Sequence, residues 1–90
     1  MGLGLAAQAS AEQPVPIRIG VIGPFTGPSA DFGLPMLNGV KMAVDEINAV
    51  GGYLGRSLEL VIKDDQANPD TGRTQSQALV NEKVDASIAF

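Results

Sequence analysis

The sequence predicts an α/β chain, a parallel β-sheet with helices on both faces. Three observations predict it. Short apolar runs rich in β-branched residues alternate with longer stretches of helical period. Gly and Pro clusters separate them. The order is strand, helix, strand, helix, strand, which right-handed crossovers wind into a parallel sheet.

The first strand is Ile17–Ile22. It is nearly continuous in apolar character, as for an interior strand buried on both faces. Pro14 and Pro16 keep its lead-in extended. Residues 23–33 are rich in Gly and Pro and read as a loop, with Gly27 or Gly33 free to take a positive φ. From Leu34 to Val50 the period becomes helical. Leu37, Val40, Val44 and Ile47 form an apolar stripe, widened by Met36, Ala43 and Val50, and Asn38, Lys41, Asp45 and Asn48 form the polar stripe opposite. Ser29 or Asp31 suits the cap, Pro35 the first turn, and Gly51-Gly52 the stop.

Tyr53–Arg56 is a connecting turn. A second strand follows over Ser57–Asp64, where Leu58, Leu60 and Ile62 alternate with Glu59 and Lys63. Charges on one face mark an edge strand. Asn68 caps a second helix with Pro69 at its first position, and this helix runs to about Glu82 with a thin apolar face, Ala78 and Leu79. The third strand is Ala86–Phe90. An interior first strand and an edge second strand imply the order 2-1-3. The third strand then has a free edge, and the sheet is incomplete.

Composition narrows the function. Of 90 residues, 44% are hydrophobic and 18% charged, which suits a packed chain rather than a disordered tail. The net charge is −4, and the six basic residues stand singly along the chain. Nucleic-acid binding needs basic residues clustered against phosphates, so that partner class is set aside. With no Cys and no His, the chain lacks thiol nucleophiles, the commonest general base and the commonest metal ligands. Residues 1–11 are apolar, small and uncharged, and Ala7-Gln8-Ala9 and Ala9-Ser10-Ala11 fit a small-x-small cleavage pattern. They read as the tail of a partial signal peptide, with residues 12–90 as the mature part, although no Lys or Arg precedes the apolar run. That run is too short to span a membrane.

In an open parallel sheet, ligands sit beyond the carboxyl ends of the strands, where the strand order reverses. The first strand occupies that point, so the loop from Gly23 to Gly33 is the natural binding element. Helix N-terminal amides there suit an anion. The glycines of this loop match neither the dinucleotide nor the phosphate-loop pattern, and no Lys lies among them. Asp64-Asp65, with Asp70 nearby, reads as a solvated strand end and turn, because the spacing does not fit a calcium loop. Ser29 and Thr26 have no His or buried Lys to activate them, so nucleophilic catalysis is unsupported. Phe32 stands out as an aromatic residue in this loop. Two roles remain open for it, a staple on the first helical turn or an apolar wall for a ligand.

Three motifs then combine. Gly23-Pro24-x-Thr26-Gly27 is followed by Asn38-Gly39, Ala43, Ile47-Asn48 and Gly51-Gly52 at fixed spacing, and then by Asp64-Asp65-x-x-x-Pro69. Together they resemble the branched-chain amino acid binding proteins, periplasmic components of ABC transporters with the type I periplasmic-binding fold. The resemblance covers about residues 16–90. It implies two α/β lobes closing on a small solute, delivery to permease subunits, a periplasmic location, no cofactor and no enzymatic step. It also implies that Phe32 faces the apolar side chain of the solute, where relatives commonly have Tyr, and that Thr26 lines the rim. Relatives hold the amino and carboxylate groups through Ser and Thr in loops after later strands, beyond Phe90. They usually show Gly where Ala89-Phe90 stand. The chain therefore looks like a fragment of lobe one. Other readings are a ligand-sensing domain of a receptor or regulator, and a Rossmann-like nucleotide-binding half of an enzyme. The signal-like N-terminus favours an exported protein.

Overall fold

A computed structural model describes residues 14–90. The expected signal segment, residues 1–11, lies outside the described residues. Strand β1 spans Ile17–Gly23, helix α1 Ala30–Ala49, strand β2 Leu58–Asp64, helix α2 Pro69–Asn81 and strand β3 Ala86–Ala89. The three strands form one parallel sheet ordered β2-β1-β3. Ile17 pairs with Leu58 and Gly23 with Asp64, while Ile19 to Ile22 pair with Ala86 to Ala89.

Alternation along β1 sends its residues to opposite faces. Val21 joins Phe25 of the following loop and Leu37 of α1 in the main apolar cluster, with Val40, Leu60 and Phe90 packed around it. On the other face, a Cβ added to Gly20 would fall 2.8 Å from the Leu79 side chain of α2. The helices therefore cover opposite faces, as expected. Leu79 is the one buried residue of α2, and charge flanks it. Arg18 meets Glu59 at 3.2 Å and donates to the Glu82 carbonyl, and Lys63 meets Glu82 at 2.6 Å. The first strand is thus apolar on the α1 face and partly ionic on the α2 face. Pairs this exposed contribute little each. The Leu79–Gly20 contact is the apolar part of that seam.

Helix α1 starts at Ala30, four residues before the expected Leu34. The chain turns at Gly27, whose φ is +81°, and the Ser29 carbonyl accepts from the Phe32 and Gly33 amides. Ser29 is the N-cap residue, without a capping bond from its side chain. Gly33 is helical, not a loop glycine. It is buried against the loop, where an added Cβ would lie 2.1 Å from the Pro24 carbonyl oxygen. Pro35 consequently lies inside the helix rather than at its first position. Its ring removes the N–H that would donate to the Asp31 carbonyl, at an exposed position in the second turn.

The helix stops as expected. Gly51 (φ +101°) and Gly52 (φ +80°) donate to Asn48 and Ile47 carbonyls in a Schellman arrangement. Several members of the helical stripes differ from expectation: Met36, Ala43 and Ile47, assigned to the apolar stripe, are exposed. Val50 is the C-cap residue and is exposed. Asn48 does not face solvent: its amide donates to the Leu58 carbonyl at 3.0 Å and accepts from the Leu58 N–H at 2.8 Å. It covers the first peptide of the β2 edge, where no strand pairs.

Candidate solute crevice at the carboxyl end of the sheet

The loop leaving β1 is held from β2. Parallel pairing sets Gly23 beside Asp64. The Asp64 carboxylate then lies within reach of the two residues beyond Pro24. Oδ1 accepts from the Phe25 N–H at 3.0 Å and from the Gln66 N–H at 2.9 Å, and Oδ2 accepts from the Thr26 hydroxyl at 2.5 Å. In the opposite direction the Asp65 N–H donates to the Gly23 carbonyl at 2.9 Å. Burial acts to raise the Asp64 pKa, but the Thr26 hydroxyl and the Phe25, Gln66 and Thr26 amides stabilise the anion, and the net direction is downward.

The acids at the end of β2 are therefore not simply solvated. Asp64 and Asp65 each accept from the N–H two residues on, at Gln66 and Ala67, both of which have a φ of +55°. Asn68 accepts from Asp70 and Thr71 at the start of α2. Three short polar side chains in succession carry the backbone from strand to helix. Asp70 pairs with Arg73. Among the described residues no three metal-ligating side chains stand together.

Next to this clamp, Phe25 is buried in the apolar cluster. Its ring meets that of Phe90 edge-on, with centroids 6.2 Å apart and planes at 85°. Phe90 is fixed by its N–H, which donates to the Ile22 carbonyl at 3.0 Å. Thr26 is exposed, with its hydroxyl proton committed to Asp64, so that its oxygen has only lone pairs left to offer. Phe32 lies in the first turn of α1, not in the loop, and its side chain is 58% exposed. A staple would be packed, so that role is unfilled.

The anion reading weakens on the same geometry. The Ala30, Phe32 and Gly33 amides are taken by the Gly27 and Ser29 carbonyls, and Asp31 puts a carboxylate in the first turn. A phosphate there would meet few free donors and a like charge. Two grooves among the described residues lie elsewhere, both along α2, one on its outer surface and one against β3.

The partners of Asp64 are the main feature that reading the residues one by one misses. The available signal is register: two strands of seven residues, paired end to end, bring an Asp beside a Gly-Pro-x-Thr turn.

Comparison with known proteins bears on the family and the fold. A family profile described as periplasmic binding protein matches residues 16–90. A Leu/Ile/Val-binding protein of Rhizobium johnstonii is 41% identical over 68 residues, which are 76% of this chain and 18% of that protein. Among solved structures, the substrate-binding protein of a branched-chain amino acid transporter from Streptococcus pneumoniae, in complex with isoleucine, superposes with a TM-score of 0.77. It is 36% identical, over 80% of this chain and 21% of that one. An extracellular ligand-binding receptor from Verminephrobacter eiseniae reaches the same TM-score at 32% identity, over 80% of this chain and 20% of that one. The chain spans about a fifth of the length of the relatives it matches.

Proposed function

This chain belongs to the periplasmic binding protein family, and from that premise we propose that it is the first part of lobe one of a solute-binding component of an ABC importer. Residues 12–90 supply the lobe-one segment, and residues 1–11 are a partial signal peptide that directs the protein to the periplasm. The solute is a branched-chain amino acid or a similar small solute, handed on to permease subunits without a chemical step. Closure of such a protein is a ligand-driven shift between open and closed populations.

One observation carries the proposal. At the carboxyl end of the central strand, the loop clamped by Asp64 carries the exposed Thr26 and leads into a helical turn whose Phe32 is exposed, with few free donors for a phosphate. That equipment suits an apolar side chain, not a nucleotide. The names of the relatives, binding proteins for leucine, isoleucine and valine, support the same solute class. A ligand-sensing receptor domain is the second reading, favoured by the likeness to an extracellular ligand-binding receptor. It shares the crevice and differs in the step after capture, signalling in place of transport.

The test is an NMR titration of the chain carrying fluorinated phenylalanine. Leucine, isoleucine or valine at tens of millimolar is expected to shift the Phe32 signal, with a dissociation constant weaker than about 1 mM. Glutamate and ATP are expected not to. No response of Phe32 to any of the three apolar amino acids, or a response to ATP alone, overturns the proposal.

A further inference from the structure

We propose that Asp64 is a positioning residue for solute capture: from the end of β2 it sets the place of the β1–α1 loop, and through that loop the place of Thr26 and of the α1 turn bearing Phe32. The proposal rests on the reading of this crevice as the solute site.

The argument follows the contacts. Asp64 holds the Phe25 amide and the Thr26 hydroxyl directly. Pro24, the residue before them, presses its carbonyl on Gly33 so closely that no Cβ fits between. Gly33 directly follows Phe32 in the first turn of α1. A rigid path therefore runs from the Asp64 carboxylate through residues 24–26 to Phe32. Its side-chain bonds go to the Phe25 and Gln66 amides and the Thr26 hydroxyl, and none reaches α1 itself. The strand pairing of β2 with β1 uses backbone groups alone and does not need the carboxylate. The chemistry asks for an aspartate. Three donors converge on two oxygens, so the group must accept at both. An asparagine keeps one acceptor, and an alanine keeps none.

Amide exchange measured by NMR separates positioning from general stability. The chains compared are the wild type, Asp64→Ala, Asp64→Asn and Asn68→Ala. The last removes the α2 cap, which accepts from Asp70 and Thr71 and touches nothing in the loop. In Asp64→Ala, exchange at Phe25, Phe32 and Gly33 is expected to rise by about tenfold or more relative to Val21. Asn68→Ala is expected to leave that ratio unchanged, and Asp64→Asn to recover part of it. The leucine-induced shift of the Phe32 fluorine signal is expected to fall several-fold in Asp64→Ala and to persist in Asn68→Ala.

An unchanged exchange ratio in Asp64→Ala, or an equal change in Asn68→Ala, overturns the proposal. Should Asp64→Ala unfold, the ratio in Asp64→Asn, measured in sulfate to strengthen burial, decides it in the same way. A wild-type chain whose Phe32 answers no solute removes the solute reading, while the exchange ratios still decide whether Asp64 places the loop.

Discussion

Two glycines in α1 are expected to respond to the same substitution with opposite signs. Replacing Gly39 by Ala adds a methyl group with nothing within 4 Å, at an exposed position in the middle of the helix. Only the intrinsic preference of the backbone acts, and stability should rise by about 0.5–1 kcal/mol. Replacing Gly33 by Ala carries the same intrinsic gain, but the added carbon would lie 2.1 Å from the Pro24 carbonyl oxygen and 2.8 Å from its carbon. Ordinary contact begins at 3.4 Å, so one side must move by more than 1 Å. The Pro24 side resists, because it is buried and the next two residues are bonded to Asp64. Overpacking against so unyielding a neighbour falls at the upper end of the usual range, about 3 kcal/mol. Less the helical gain, the net loss is about 2 kcal/mol, which lowers Tm by roughly 8–16 °C in a chain of this size. Melts followed by circular dichroism, with Gly33→Ala also built on the Gly39→Ala background to keep it folded, measure both effects. A Gly33→Ala chain as stable as the wild type would refute the close approach of helix and loop.

Three further outcomes are expected. The folded carboxyl of Asp64 is held below its ordinary value by the donors around it, which outweigh burial. Its contribution is therefore present above the unfolded value of 3.8 and is lost as pH falls through the lower folded value; urea midpoints between about pH 6 and pH 2 should drop for the wild type and stay flatter for Asp64→Asn. Ala67 holds a φ of +55° without being glycine, so Ala67→Gly should raise stability by about 0.5 kcal/mol, visible as a higher urea midpoint, and a fall would contradict the strain argument. Calorimetric titration of the chain with leucine should give no micromolar binding, and a dissociation constant near 1 μM, about −8 kcal/mol, would show that the crevice alone suffices.

What was legible in the sequence was local and periodic. The apolar run at Ile17, the alternation at Leu58–Ile62 and the pair Asn68-Pro69 each encode their structure within a few residues, and the strand order followed from which strand carried charge. The misplaced features are those with distant causes. Gly33 and Pro35 read locally as a loop and a helix start. They lie within α1, where Gly33 is the residue that leaves room for the Pro24 carbonyl. Asn48 has the spacing of a solvent-facing residue, but its partner is the edge of a strand ten positions on. Asp64 reads as an ordinary surface acid until parallel register brings Thr26 beside it. The candidate site was half legible for the same reason. Phe32 stands out by composition, whereas the clamp that locates it exists only in three dimensions.

The energetics of Phe32 explain why a rigid crevice need not be a sufficient one. A phenylalanine side chain buries on the order of 200 Å² when fully covered. With 58% exposed, a solute covering that remainder would gain about 3 kcal/mol from apolar contact. Association itself costs about 4 kcal/mol or more in lost translation and rotation. The ring can therefore favour leucine over a polar solute without holding it. Rigidity in the loop keeps that small gain from being spent on ordering, which is what the Asp64 bonds and the Gly33 approach achieve. The Thr26 hydroxyl, with its proton committed to Asp64, cannot donate to the solute's carboxylate as well. Affinity in the proposed binding protein must then come from donors and acceptors outside this crevice, added to the orientation that the proposed Phe32 contact would give the solute's side chain.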